Sequence, residues 1–262
     1  MSLVLLYSTI AGVIGTGIGG LIGIFIGKKS SKLISAILSI AGGIMLAVVF
    51  FDLLPEAQAL YNNNFVILLG LVWGILILFA LNKIVDIANK KVLLKVQTLG
   101  IYNVELQYNI SKTDANKLKK SGWFLMLAIA LHNIPEGIAI GTIGTIENSL
   151  VMTMAIVICV HNIPEGMAIS LPLSAGNMGK IKSLFLATTA GGMTIVGGFV
   201  GVLLGQISTV VTSFFLAFAG GAMLQVTLCE IMPDALDLDL SKKPFIYTLL
   251  GVLLGFVINF FV

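Results

Sequence analysis

Eight apolar stretches, each close to the length of a membrane-crossing helix, restrict this chain more than any other feature. They cover residues 3–26, 33–54, 65–84, 121–144, 149–173, 183–206, 209–235 and 245–262 of 262. A helix needs roughly 20 apolar residues to cross a hydrocarbon core. Within lipid every backbone amide and carbonyl must be bonded inside the protein, which leaves helices or closed barrels. The runs are continuous rather than alternating, so the barrel is excluded. Composition agrees: 58% of residues are hydrophobic and 10% charged, against about 25% charged in soluble domains, and mean hydropathy is +1.07. The expected fold is an all-α integral membrane protein of eight transmembrane helices, forming one domain over residues 1–262. No lysine precedes the first run, which continues for over 20 residues, so it is read as span one rather than a cleaved leader. The two cysteines, Cys159 and Cys229, lie inside expected spans and form no disulfide framework.

The lysines set an expected orientation. All 15 basic residues are lysines, and they follow spans one, three, five and seven; the loops after spans two, four and six have none. Lysine accumulates on the cytoplasmic side, so both termini are expected outside. The alternation would not close with seven or nine spans. The lysines are scattered over four membrane-flanking loops without aromatic interleaving, which argues against nucleic-acid binding and for the lipid bilayer as their cause. The one long loop, residues 85–120, is read as a flexible cytoplasmic connector, with a helix start near Ser111–Lys120.

Two sets of internal copies emerge. The segment from Ala41 to Ala57, AGGIMLAVVFFDLLPEA, aligns without gaps on Ala219 to Ala235, AGGAMLQVTLCEIMPDA. Matched acids and prolines at fixed spacing are poorly explained by chance similarity of apolar sequence. An odd number of crossings separates spans two and seven, so the copies run oppositely through the membrane. That is the signature of an inverted repeat, whose interface near the midplane commonly holds a transporter's substrate. Three spans, a central pair, and three spans is the arrangement suggested.

The central pair carries the second set. LHNIPEGIAIG, from Leu131, is followed by VHNIPEGMAIS, from Val160, and these copies contain the only two histidines. On a helix His132 and Glu136 share a face, as do His161 and Glu165, and both histidines fall near mid-bilayer. Pro135 and Pro164 remove the amides that would bond the carbonyls of Leu131 and Val160, and are expected to kink the helices. Gly137 and Gly166 allow a neighbouring helix to approach. Asn133 and Asn162 add carbonyl oxygens at the rim. Ionised carboxylates at this depth need a positive partner, and neither span contains a lysine. A cation from outside supplies it. Two nitrogens with two to four oxygens suit Zn²⁺, Fe²⁺, Mn²⁺ or Co²⁺, whereas Mg²⁺ and Ca²⁺ prefer all-oxygen shells and Cu⁺ prefers sulfur.

At these residues the chain resembles the ZIP (Zrt/Irt-like protein) family of divalent metal transporters, in particular its prokaryotic zinc-uptake branch. The resemblance covers the whole chain and rests on the HNIPEG pair in spans four and five. It implies a transport site of His132, Glu136, His161 and Glu165, with Asn133 and Asn162 as auxiliary ligands. It implies uptake of Zn²⁺, with Fe²⁺, Mn²⁺, Co²⁺ and Cd²⁺ as alternatives, as transported substrate rather than cofactor, across the prokaryotic plasma membrane into the cytoplasm. A homodimer is compatible with it. Relatives with two metals resemble an arrangement using an acid from span six and an aspartate after the span-five histidine. Span six here has no acid and the position holds Asn162, so a single principal metal is expected.

Four further acids fit a path. Asp52 and Glu56 lie toward the outer end of span two, and Glu230 and Asp234 toward the inner end of span seven, where carboxylates could admit and receive a cation. The competing reading is an intramembrane metal-dependent hydrolase. No HExxH or comparable ligand-plus-base motif supports it, so the chain is read as a carrier and not an enzyme.

Overall fold

The computed structural model describes residues 2–26, 30–98, 110–144, 148–204 and 208–261. Among these the chain forms eight helices and no strands: α1 (Ser2–Ile26), α2 (Ser31–Leu60), α3 (Asn64–Thr98), α4 (Ile110–Ile143), α5 (Asn148–Ala175), α6 (Lys180–Leu204), α7 (Thr209–Leu238) and α8 (Lys243–Phe261). In α1 to α7 a described stretch is long and apolar enough to cross a membrane. In α8 the qualifying stretch is shorter, Lys243–Ile258. The whole helix of 19 residues rises about 28 Å at ~1.5 Å per residue, close to the roughly 30 Å core.

Helix α3 runs on to Thr98 and α4 begins at Ile110, so helix occupies much of the segment expected to be a flexible connector. The reason is compositional: no glycine or proline interrupts residues 85–98, and Lys, Leu, Ala and Gln are good helix formers in water as in lipid. The part between, 99–109, lies outside the described residues. The helices of Pro135 and Pro164 remain continuous.

The widened turns occur elsewhere. Helix α2 contains a π-helical turn at Val49–Leu53 and α7 one at Thr227–Ile231, each just before a proline, Pro55 and Pro233. Each proline deprives a carbonyl inside the turn, Phe51 or Cys229, of its helical donor. The backbone responds with a five-residue step: the Leu54 amide bonds Val49 O and the Met232 amide bonds Thr227 O. Both copies consist of an 18-residue α-helix, a five-residue π-turn and a seven-residue α-helix. Both begin with a serine cap, Ser30 accepting from the Leu33 amide and Ser208 from the Val210 amide. Their contacts with each other are reciprocal. Ser35 Oγ donates to Ala235 O (2.6 Å) and Ser213 Oγ to Ala57 O (2.7 Å), all from equivalent places in the two copies.

The helices pack in two groups. Helix α4 lies along α6 and α1 along α5, with α4 and α5 in contact; α3 lies along α7 and α2 along α8. The groups meet mainly where α4 touches α7 and α5 touches α2, again a pair exchanged by the repeat. Glycine makes the close seams. A Cβ on Gly137 would stand 2.8 Å from the Gly197 Cα, and one on Gly166 2.8 Å from the Thr16 Cα; backbone cannot yield that space.

Candidate metal centre

Helices α4 and α5 bring both HNIPEG copies together at their shared seam. His132, Glu136 and Glu165 are fully buried and His161 is 3% exposed. The pairing crosses between helices instead of running along each one. His132 Nε2 stands 2.8 Å from Glu165 Oε1, and His161 Nε2 stands 3.3 Å from Glu136 Oε1. A carboxylate accepts, so each imidazole N–H donates to the glutamate of the other copy. The i and i+4 spacing places each histidine and glutamate on one face. Antiparallel docking of two such faces then sets each histidine opposite the other helix's glutamate.

The four groups are not equivalent. Ligand atoms of His132, Glu136 and Glu165 all lie within 4.8 Å of one another, a grouping that can hold a metal ion. His161 stands outside this trio and joins it through Glu136. Half of the site's polar capacity is unused by the protein: His132 Nδ1, His161 Nδ1, Glu136 Oε2 and Glu165 Oε2 are buried without a partner. Buried carboxylate oxygens of this kind carry a desolvation cost that a cation removes. The donor set is mixed nitrogen and oxygen, suited to a divalent transition metal.

Asn133 and Asn162 bond neighbouring helices through their amide nitrogens, while the side-chain oxygen of each is buried without a partner. The Asn133 amide nitrogen donates to Ala190 O of α6 (3.1 Å), and the Asn162 amide nitrogen to Ala11 O of α1 (2.9 Å). Ala11 lies in a third π-turn, Thr9–Ile14.

The outer acids divide. Asp52, half-buried in the π-turn of α2, lines a small cavity with His161, Val157 and Val160. Glu56 sits one turn further along α2, also half-buried. Glu230 and Asp234 line a separate cavity of about 200 Å³ with Asn82, Lys117, Lys120 and Ser121. There Asn82 donates to Glu230, Ser121 donates to the buried Asp234, and Lys117 pairs with Asp237 on the surface. Sequence reasoning missed Asn82 and Ser121, because nothing along the chain marks a polar residue at the edge of an apolar run as the partner of an acid over a hundred residues away. It also missed the reciprocal Ser35 and Ser213 bonds, although the two serines occupy equivalent places in the repeats and were legible as a pair.

Comparison with known proteins agrees with this arrangement. The model of the ZIP zinc transporter family matches residues 2–262. The chain is 32% identical over 262 residues to the zinc transporter ZupT of Escherichia coli O127:H6 (strain E2348/69 / EPEC), covering 98% of this chain and 96% of that protein. It is 34% identical over 257 residues to the zinc transporter ZupT of Enterobacter sp. (strain 638), covering 96% and 94%. The hydrolase alternative gains no support from either. By sequence along its whole length, this chain belongs to the ZIP zinc transporter family.

Proposed function

We propose that this protein carries divalent transition-metal cations, Zn²⁺ foremost, across the cytoplasmic membrane into the cell. The observation that carries the reading is the pair of fully buried glutamates, Glu136 and Glu165, each held by a histidine of the opposite helix, with an unpartnered oxygen apiece. His132, Glu136 and Glu165 hold the ion and His161 completes the set. Two carboxylates bring two negative charges to mid-bilayer, and one divalent cation offsets them. Because ligands must be deprotonated to bind, release is favoured where protons compete. Access alternates as one four-helix group shifts against the other at the α4–α7 and α5–α2 contacts. Asp52 and Glu56 receive the ion on the outer side and Glu230 and Asp234 on the inner side, in the orientation the lysines favour, with both termini outside.

The test is metal entry into proteoliposomes loaded with a dye sensitive to divalent metals, comparing the native protein with His132→Ala/His161→Ala at equal reconstitution. Entry of Zn²⁺ is expected in the native protein and lost in the double variant. Equal entry in both would overturn the site.

A further inference from the structure

We propose that Gln225 of α7 is a transport residue on the inner side of the metal centre, where its carboxamide oxygen takes the departing divalent cation and passes it toward Glu230 and Asp234. This rests on the reading of the His and Glu cluster as the metal site and of the Glu230 cavity as its inner exit. Gln225 is 4% exposed, and both of its polar atoms, Oε1 and Nε2, are buried without a partner. An amide in apolar surroundings ordinarily makes at least one bond. Neither end is bonded here, so the assignment of oxygen and nitrogen makes no difference. The repeat shows that the backbone does not ask for this amide. Gln225 of α7 aligns with Ala47 of α2, and the two copies fold into the same succession of helix, π-turn and helix. An amide that the fold does not require, and that this conformation leaves unbonded, finds its partner in another step of the transport cycle.

Two registers fix its place. Ser121 of α4 donates to Asp234 of α7, and the two helices, an odd number of crossings apart, run oppositely. Nine residues back from Asp234 is Gln225, and nine residues on from Ser121 is Ala130, two short of His132. Gln225 therefore lies close to the depth of the metal centre, ~13 Å from Asp234 along the helix. The glycine seams supply the second register. A Cβ on Gly251 would stand 2.3 Å from Ile40 O, and one on Gly74 2.1 Å from Phe218 O; Ile40 and Phe218 each precede an AGG copy. Helix α3 thus lies along α7 as α8 lies along α2, and Leu78 takes the place of Gly255. On the outer side a Cβ on Gly255 would stand 2.5 Å from the Ala47 Cβ, and Gly255 lines the small cavity shared by Asp52 and His161. On the inner side the fully buried Leu78 occupies that place and Gln225 replaces Ala47. One turn further along α3 is Asn82, which donates to Glu230. Gln225, Asn82 and Glu230 follow one another along the α3–α7 seam from the metal centre to the inner cavity. A neutral amide oxygen draws a divalent cation less than the carboxylates of Glu136 and Glu165 do, which suits a station that must also let go.

The experiment compares the native protein with Gln225→Leu, apolar and of similar size, and with Gln225→Glu. Zn²⁺ affinity is measured by equilibrium dialysis on purified protein, KM and kcat for Zn²⁺ entry in proteoliposomes, and thermal unfolding in detergent. In Gln225→Leu, kcat is expected to fall about tenfold, the effect on a barrier of one lost hydrogen bond. Zn²⁺ affinity stays the same, and the unfolding midpoint is equal to or above the native one, because an apolar group has replaced an unbonded amide. In Gln225→Glu, entry also slows and bound Zn²⁺ becomes harder to remove with a chelator, because a carboxylate holds what an amide releases. A native kcat in Gln225→Leu overturns the inference. So does a lower midpoint, which would show the amide bonded in the resting protein, or a loss of affinity that matches the loss of kcat, which would make Gln225 a support of the metal centre. If Gln225→Glu folds and holds Zn²⁺ no more firmly than the native protein, the side chain does not touch the ion and the inference falls; if it does not fold, Gln225→Leu decides alone. The His132→Ala/His161→Ala variant, run alongside, separates the two readings: if it still binds and carries Zn²⁺, the metal site itself is misplaced, whatever Gln225 does.

Discussion

The two π-turns share a backbone and differ in everything that surrounds their acids. In α2 the turn presents Asp52 to a cavity that also contains His161; in α7 the equivalent turn presents Glu230 to Asn82, in a cavity bordered by Lys117 and Lys120. Length, proline position, serine cap and reciprocal serine bonds are the same in both copies. Duplication preserves what the main chain needs to turn at a proline. Neighbouring helices, which are not duplicated residue for residue, decide what each acid does. The central pair is the opposite case, because there both copies keep the same side chains and even their asparagine bonds correspond. Symmetry is retained in the central pair and lost around the flanking acids, as the proposed function requires if the pair shares one ion and the acids serve opposite ends of its path.

The comparison breaks most visibly at the histidines. His132 belongs to the group of ligand atoms lying within 4.8 Å of each other and His161 does not. His132→Ala is therefore expected to lower Zn²⁺ binding by more than about 100-fold, beyond the loss of an orienting partner, and His161→Ala by roughly tenfold. Isothermal titration of the two single variants measures both, and equal losses would mean that the bound state restores the symmetry.

The outer acids come next. Asp52→Asn is expected to slow Zn²⁺ entry by about tenfold, the lower range for a charge that focuses ions toward a site. Glu230→Gln keeps an oxygen to accept from Asn82 and should change entry by less than half that. Initial rates at subsaturating Zn²⁺ compare them, and a larger effect at Glu230 would place the controlling charge at the other end.

The smallest effect concerns the scaffold. Ser35→Ala and Ser213→Ala each remove one buried hydrogen bond, worth about 1 kcal/mol. The Ala235 and Ala57 carbonyls keep their bonds from the Asp239 and Tyr61 amides, so neither is left unpaired. Thermal unfolding in detergent should shift equally for the two variants; a clear difference would show that the repeat is symmetric in shape and not in stability.

Much of this was readable along the chain. Continuous apolar runs in a solvent without hydrogen-bonding capacity admit only helices, so their number and approximate limits follow from hydropathy. The AGG-x-ML copies with matched acid and proline announced the repeat, and two histidines in identical hexapeptides announced the site. The limits of α3 and α4 were less legible, because polar helix formers continue a helix beyond the apolar run and hydropathy is blind to them. The π-turns had a signal, the proline four residues after an otherwise unremarkable carbonyl. The same signal at Pro135 and Pro164 produced no widened turn, so proline alone does not decide it.

What the sequence determined by itself is the set of groups placed in the membrane: eight helices, two imidazoles, two central carboxylates, and a repeat that turns one half of the chain over against the other. What only the tertiary structure decided is which of those groups meet. His132 faces Glu165 and not Glu136, His161 stands outside the trio, and Asn133 and Asn162 reach the carbonyls of Ala190 and Ala11. Periodicity assigns a residue to a face of its own helix. The partner of that face is chosen by the packing of other helices, and at the metal-site seams by glycines that let backbones approach until a one-residue change in rotation would no longer fit.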